Sequence, residues 1–93
     1  MSKRSFLESC NATIRFNYVG IKSLGKKDCY VHEYTLKTPK DEIQGEYWAR
    51  EYNCDLVENL VQAWKNDIEY GDAYMLEGLQ RCFTTEQLEG LLC

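Results

Sequence analysis

Hydrophobic residues in the first half of the chain recur at every second position, which is the spacing of half-buried β-strands. This pattern predicts three strands, over residues 12–19, 29–37 and 45–52. The middle strand gathers its bulkiest side chains on one face, namely Tyr30, His32, Tyr34 and Leu36. Pro39 cannot donate to a strand ladder and marks a loop before the third strand. Consecutive strands with short links favour an antiparallel meander.

Towards the C-terminus the hydrophobic spacing changes to three and four residues, which is typical of amphipathic helices. It predicts helices over residues 55–69 and 72–83, a short terminal helix that opens at Thr84, and one or two helical turns over 4–10. The predicted order is α-β-β-β-α-α, with the short terminal helix at its end. We therefore expect an α+β fold, in which a three-stranded antiparallel sheet has helices packed on one face.

Helix starts are marked by capping signals. Asp55 followed by Glu58, and Thr84 followed by Gln87, have the spacing of a capping box, in which side chain and backbone bond reciprocally. Asp72 is predicted to cap the helix between them. These signals place three helix starts after the sheet.

The length of 93 residues fits a single domain over residues 1–93. Apolar residues make up 44% and charged residues 28%, so the composition is that of a globular protein and not of a disordered one. No apolar run reaches the length of a membrane span, and no secretory signal opens the chain. We expect a cytoplasmic protein that does not bind membranes.

Charge is distributed unevenly along the chain. Residues 1–27 hold six basic residues and one acidic residue, whereas residues 28–93 hold five basic and fourteen acidic residues. The net charge of −4 argues against direct nucleic-acid binding, which requires excess Lys and Arg. Two acidic groups, near the loop before the third strand and at the helix junction, are candidates for contact with a partner that has a basic groove: Asp41, Glu42 and Glu46, then Asp67, Glu69 and Asp72.

Motifs for catalysis, a metal or a cofactor are not found. The five cysteines include no C-x-x-C pair, and a single histidine, His32, does not complete a zinc site. His32 is expected to be buried or half-buried among the aromatic residues of its strand. A nucleophilic pair of His32 with Cys29 or Cys54 is one alternative, and it makes the chain a thiol enzyme. The thiols are otherwise expected to act as small hydrophobic residues.

One stretch of the predicted central helix, Val57-Glu58-Asn59-Leu60-Val61-Gln62-Ala63-Trp64-Lys65-Asn66, is followed by an acidic connection and a final amphipathic helix. With the element order, this layout resembles the small prophage-encoded anti-CRISPR proteins that block the type II-A nuclease Cas9. The resemblance implies an acidic, non-enzymatic inhibitor in the host cytoplasm that mimics nucleic acid. It implies contacts from the two acidic groups named above.

The sequence therefore predicts a small non-enzymatic inhibitor that binds one protein, and the candidates are a CRISPR effector or another nucleic-acid-binding complex. An acidic surface is expected to occlude its basic site, and Tyr47 is expected to supply an apolar anchor if the aromatic sheet face is open. The main alternative is an assembly protein that forms a homodimer through that aromatic face.

Overall fold

A computed structural model describes residues 2–52, 54–70 and 73–93 of the chain. Within these ranges the elements follow in the order α1 (Lys3–Ser9), β1 (Thr13–Leu24), β2 (Lys27–Lys37), β3 (Glu42–Ala49), α2 (Leu56–Tyr70), α3 (Ala73–Cys82) and α4 (Thr85–Leu92). The strands form one antiparallel sheet in the order β1-β2-β3. The predicted α+β class is confirmed, and the short terminal helix makes the order α-β-β-β-α-α-α.

The first strand is longer than predicted because a β-bulge hides its second half. Tyr18 lies opposite His32 and Gly20 lies opposite Val31, so Val19 is the extra residue. A bulge shifts every later side chain to the other face and breaks the two-residue pattern from which strands are predicted. Gly20 takes a φ of 146°, which favours glycine at this position.

The strand pair continues past the bulge to a tight turn. Leu24 lies opposite Lys27, which leaves Gly25 and Lys26 as the two turn residues. Gly25 has a φ of 66°, and glycine in the first turn position is the preference of type II′ hairpins. The link between the first two predicted strands, residues 20–28, is therefore mostly strand.

The third strand begins three residues earlier than predicted, at Glu42. Its register is set by β2, with Ile43 opposite Leu36 and Tyr47 opposite His32. Because Leu36 is fully buried, the pairing that also buries Ile43 is favoured over a later start. Glu42 and Glu46 consequently lie within a strand.

The hydrophobic core lies between one face of the sheet and the helices. Each helix contributes at least one buried residue to it, among them Leu7, Leu60, Trp64, Leu79 and Leu91. The sheet contributes Ile14, Tyr34 and Leu36. The helices therefore pack on one face, as predicted, and His32 is buried on this same face of β2.

The helix caps agree with the capping signals where the structure describes them. The Asp55 carboxylate accepts a hydrogen bond from the Glu58 amide at 3.1 Å. Thr84 and Gln87 form a complete capping box. The predicted cap at Asp72 lies outside the described residues.

Candidate protein-binding site

Asp41, the first predicted contact residue, is bonded within its own chain. One of its carboxylate oxygens lies 3.1 Å from Nε of Arg81, and the other accepts a hydrogen bond from the Glu42 amide at 2.7 Å. Its carbonyl oxygen accepts hydrogen bonds from the backbone and the hydroxyl of Thr38. Asp41 therefore shapes the β2–β3 turn as well as carrying charge.

Glu42 and Glu46 lie in β3 on the sheet face that points away from the helices. Glu46 accepts a hydrogen bond from the Trp48 indole at 3.2 Å and lies 3.8 Å from Nζ of Lys22. Glu42 accepts a hydrogen bond from the side-chain amide of Gln44 at 3.3 Å. Both carboxylates are exposed, and they form an acidic row along the strand.

A small apolar cluster lies beside this row. Cys29 and Val31 are buried although they face away from the helices. Trp48 lies opposite Val31 in register, and Nζ of Lys22 lies 5.7 Å from its ring centroid. Lys22 thus contacts both the indole and Glu46, so its charge is shared between two weak partners.

The structure describes two of the three acidic residues predicted at the helix junction. Glu69 is exposed near the end of α2 and Asp67 is half-buried two residues earlier, whereas Asp72 lies outside the described residues. Arg81 contacts Asp41, and α3 begins eight residues before Arg81. Because a helix rises 1.5 Å per residue, about 12 Å of α3 separates its first residue from Arg81, which contacts Asp41.

Tyr47 lies on the helix-facing side of β3 and not on the open face. It is half-buried and packs against the core opposite His32. Burial is the main cause that raises the pKa of its hydroxyl, and the nearby Cys54 thiol adds to the effect. The aromatic side chain of β3 on the open face is Trp48.

A groove runs along the outer edge of β3, between that strand and α3. It encloses a cavity of about 280 Å³. Apolar residues of β2, β3 and α3 line it, with polar and charged residues at its rim: Tyr34, Ile43, Gly45, Met75 and Gly78, then Gln44, Glu46, Glu77 and Arg81. We call this set the β3 groove.

Two glycines allow close packing at the β3 groove. A Cβ on Gly45 would lie 2.9 Å from the Tyr34 hydroxyl, because the buried Tyr34 ring lies across this position. A Cβ on Gly78 would lie 3.2 Å from Ile43, so this glycine lets α3 approach β3 closely. An isolated glycine in a strand or a helix is a sequence signal of such close approach.

Apolar residues are exposed at the opposite end of the sheet. β3 ends opposite Tyr30, so the rest of the β1–β2 hairpin projects beyond it. Side chains there are 44–65% exposed, and we call this set the hairpin surface: Tyr18, Val19, Ile21, Leu24 and Tyr52. The sequence signal that reveals it is the presence of two aliphatic residues, Ile21 and Leu24, in the link between the first two predicted strands.

The two tyrosines of the hairpin surface pack together with Tyr30. The Tyr52 centroid lies 5.7 Å from that of Tyr18 and 5.4 Å from that of Tyr30. The Tyr18 ring also lies 5.3 Å from His32, which links the cluster to the buried part of the sheet. On the helix-facing side of the sheet, Tyr18 and Tyr52 at this aromatic end remain exposed.

The fold determines which of the predicted thiol and metal sites can form. Cys29 and His32 lie on opposite faces of β2, since residues at odd and even positions point to opposite sides. Cys54 lines an open polar cavity with Tyr47, Asn59 and Gln62. In the described part of the chain, no cluster of His, Cys, Asp or Glu fits a metal ion, and no helix is long and apolar enough to cross a membrane.

Neither family models, nor curated proteins, nor solved structures match this chain.

Proposed function

We propose that this protein is a non-enzymatic inhibitor that binds one protein partner and covers a basic, nucleic-acid-binding site on it. The observation that carries the proposal is the row of exposed carboxylates at Glu42 and Glu46, on a sheet face that the helices leave uncovered. Asp41 extends this row into the turn. Acidic surfaces attract basic partners and speed their association.

The ion pairs within the chain are compatible with this function. The Lys22–Glu46 and Arg81–Asp41 pairs involve side chains that are about half exposed. Such surface pairs contribute about 0.2–1 kcal/mol each. Lysines or arginines of a partner can therefore replace Lys22 and Arg81 at small cost.

A CRISPR effector is the target class that the resemblance to anti-CRISPR proteins implies, and we retain it within the proposal. In this arrangement Glu69, with Asp67 and Asp72, contacts a second basic region of the partner. The separation of about 12 Å along α3 lies within the span of one standard protein interface.

The proposal is tested by immobilising this protein and capturing its partner from an extract of the organism in which the protein acts. Wild-type protein should retain a nucleic-acid-binding protein, which DNA or RNA and high salt should release. A Glu42→Lys, Glu46→Lys variant should lose it. A Glu8→Lys, Glu89→Lys variant changes the net charge equally at exposed positions on α1 and α4 and should retain it.

Asp41 is left unchanged in this test because its loss would also disturb the β2–β3 turn. Equal capture by the two charge variants would contradict the proposal, as would binding that neither salt nor nucleic acid affects.

A second candidate function is assembly into a homodimer through the hairpin surface. The observation that favours it is the group of exposed apolar side chains at the aromatic end of the sheet. Sedimentation at micromolar concentration tests it, with Ile21→Lys, Leu24→Lys as the variant that should become monomeric. A monomeric wild-type protein would contradict this candidate.

A further inference from the structure

The outer edge of β3 has no neighbouring strand in the described part of the chain. β3 is eight residues long and pairs with β2 without a bulge. A regular edge strand exposes unpaired backbone N–H and C=O groups, to which another extended chain can bond. The other edge, β1, differs because the bulge at Val19 interrupts its regular spacing.

The β3 groove lies beside this edge and offers space for side chains. Ile43 and Met75 contribute apolar surface, and the Tyr34 ring lies across Gly45. Glu46 and Glu77 lie at the rim, and the rim cation, Arg81, already contacts Asp41. The groove is therefore lined by apolar residues, and its border carries two acidic residues and one basic residue.

We propose that the β3 groove binds an extended segment of a partner protein, which adds to the sheet as a fourth strand. Successive residues of a strand point to opposite faces. The segment therefore alternates basic residues, beside Glu42 and Glu46, with apolar residues that enter the groove. This inference rests on the proposed function and specifies how the basic partner is recognised.

Charge complementarity favours such a segment over a second copy of this chain. Pairing β3 with β3 of another copy sets two acidic rows side by side, and like charges in opposed positions are destabilising. A basic strand instead meets Glu42 and Glu46 with opposite charge while its backbone bonds to the edge.

The probe for this inference is a synthetic peptide of alternating Lys and Val, eight residues long like β3. Titration calorimetry compares it with two versions, one N-methylated on every Lys and one on every Val. Successive backbone N–H groups of a strand point to opposite edges, so all the Lys N–H groups lie on one edge of the peptide and all the Val N–H groups on the other. Only one of these edges pairs with β3. One methylated version should therefore bind at least about tenfold more weakly, because its backbone hydrogen bonds are lost, and the other should bind like the parent.

Amide hydrogen exchange of the protein shows where the peptide binds. The parent peptide should slow exchange in β3 and leave the hairpin tip unchanged. It should bind the Glu8→Lys, Glu89→Lys variant like wild type and the Glu42→Lys, Glu46→Lys variant weakly. Equal affinity of all three peptides, no binding of the parent, or protection away from β3 would overturn strand addition.

The outcomes for strand addition and for the proposed function are distinguishable. If all three peptides bind equally and the Glu42→Lys, Glu46→Lys variant still fails to capture its partner, strand addition is wrong while the acidic surface stands. If capture from the extract is unaffected by that variant, the proposed function fails irrespective of the peptides.

Discussion

The β3 groove and the hairpin surface lie on one sheet but are built differently. The groove depends on close packing, since Gly45 lies against the Tyr34 ring and Gly78 against Ile43. The hairpin surface consists of side chains such as Ile21 and Leu24 that pack little, at 58% and 65% exposure. Substitutions in the groove should therefore change stability more than substitutions on the hairpin surface.

The largest effect on stability is expected at Gly45. Gly45→Val places side-chain atoms where the buried Tyr34 ring lies, and overpacking of this kind costs about 1–3 kcal/mol. Gln44→Val is the matched control, because the neighbouring side chain is exposed and its change should stay within about 0.5 kcal/mol. Urea unfolding measures both. Equal stability of the two variants would contradict the close packing of the groove.

A smaller effect is expected where the hairpin surface meets the tyrosine cluster. Tyr52→Ala removes ring contacts with Tyr18 and Tyr30, and aromatic pairs contribute about 0.5–1.5 kcal/mol. Tyr70→Ala is its control, since Tyr70 is 85% exposed and its loss should be within the error of thermal or urea unfolding. If Tyr70→Ala destabilises as much as Tyr52→Ala, the cluster does not stabilise this end of the sheet.

Alkaline pH should lower the free energy of unfolding. Burial, the main cause, and Asp41 raise the pKa of the Cys82 thiol, although the Thr38 bond and Arg81 lower it. The pKa of Tyr47 is raised as well. The native state therefore holds these protons more tightly than the unfolded chain, and the free energy of unfolding falls as pH rises past the ordinary thiol pKa of about 8.5.

Urea unfolding from pH 7 to 11 measures this decline. Cys82→Ala should make it shallower above about pH 8.5, because the native thiol holds its proton more tightly than the thiol of the unfolded chain. A decline identical in wild type and variant would show that Cys82 does not contribute.

The smallest effect is expected from the exposed ion pair of the acidic row. Glu46→Gln removes the pair with Lys22 but keeps an acceptor for the Trp48 indole, so stability should fall by at most about 1 kcal/mol. The difference should shrink in high salt, because salt screens exposed charges. A larger, salt-independent loss would mean that Glu46 is structural and not available to a partner.

Much of the fold is predictable from hydrophobic spacing, because Tyr34, Leu36 and the buried face of α2 have to meet in one core. The continuation of β1 past Val19 is not, since a bulge depends on the pairing with β2 and leaves no regular pattern. The β3 groove is equally hidden. Gly45 and Gly78 signal close approach in the sequence, but only the register and the position of α3 show what approaches them.

The candidate site divides in the same way. Acidic residues at 41, 42 and 46 are visible in the sequence, whereas their bonds to Arg81 and Lys22 depend on elements distant along the chain. The sequence does not determine on which side of the sheet Tyr47 lies, because both faces of the third strand carry aromatic residues.

The most direct test is hydrogen exchange of this protein alone and in complex with the partner that it captures. The account predicts slowed exchange along β3 and at residues that border the β3 groove, with unchanged exchange at the tip of the β1–β2 hairpin. Protection confined to the hairpin surface, with β3 amides exchanging as in the free protein, would contradict it.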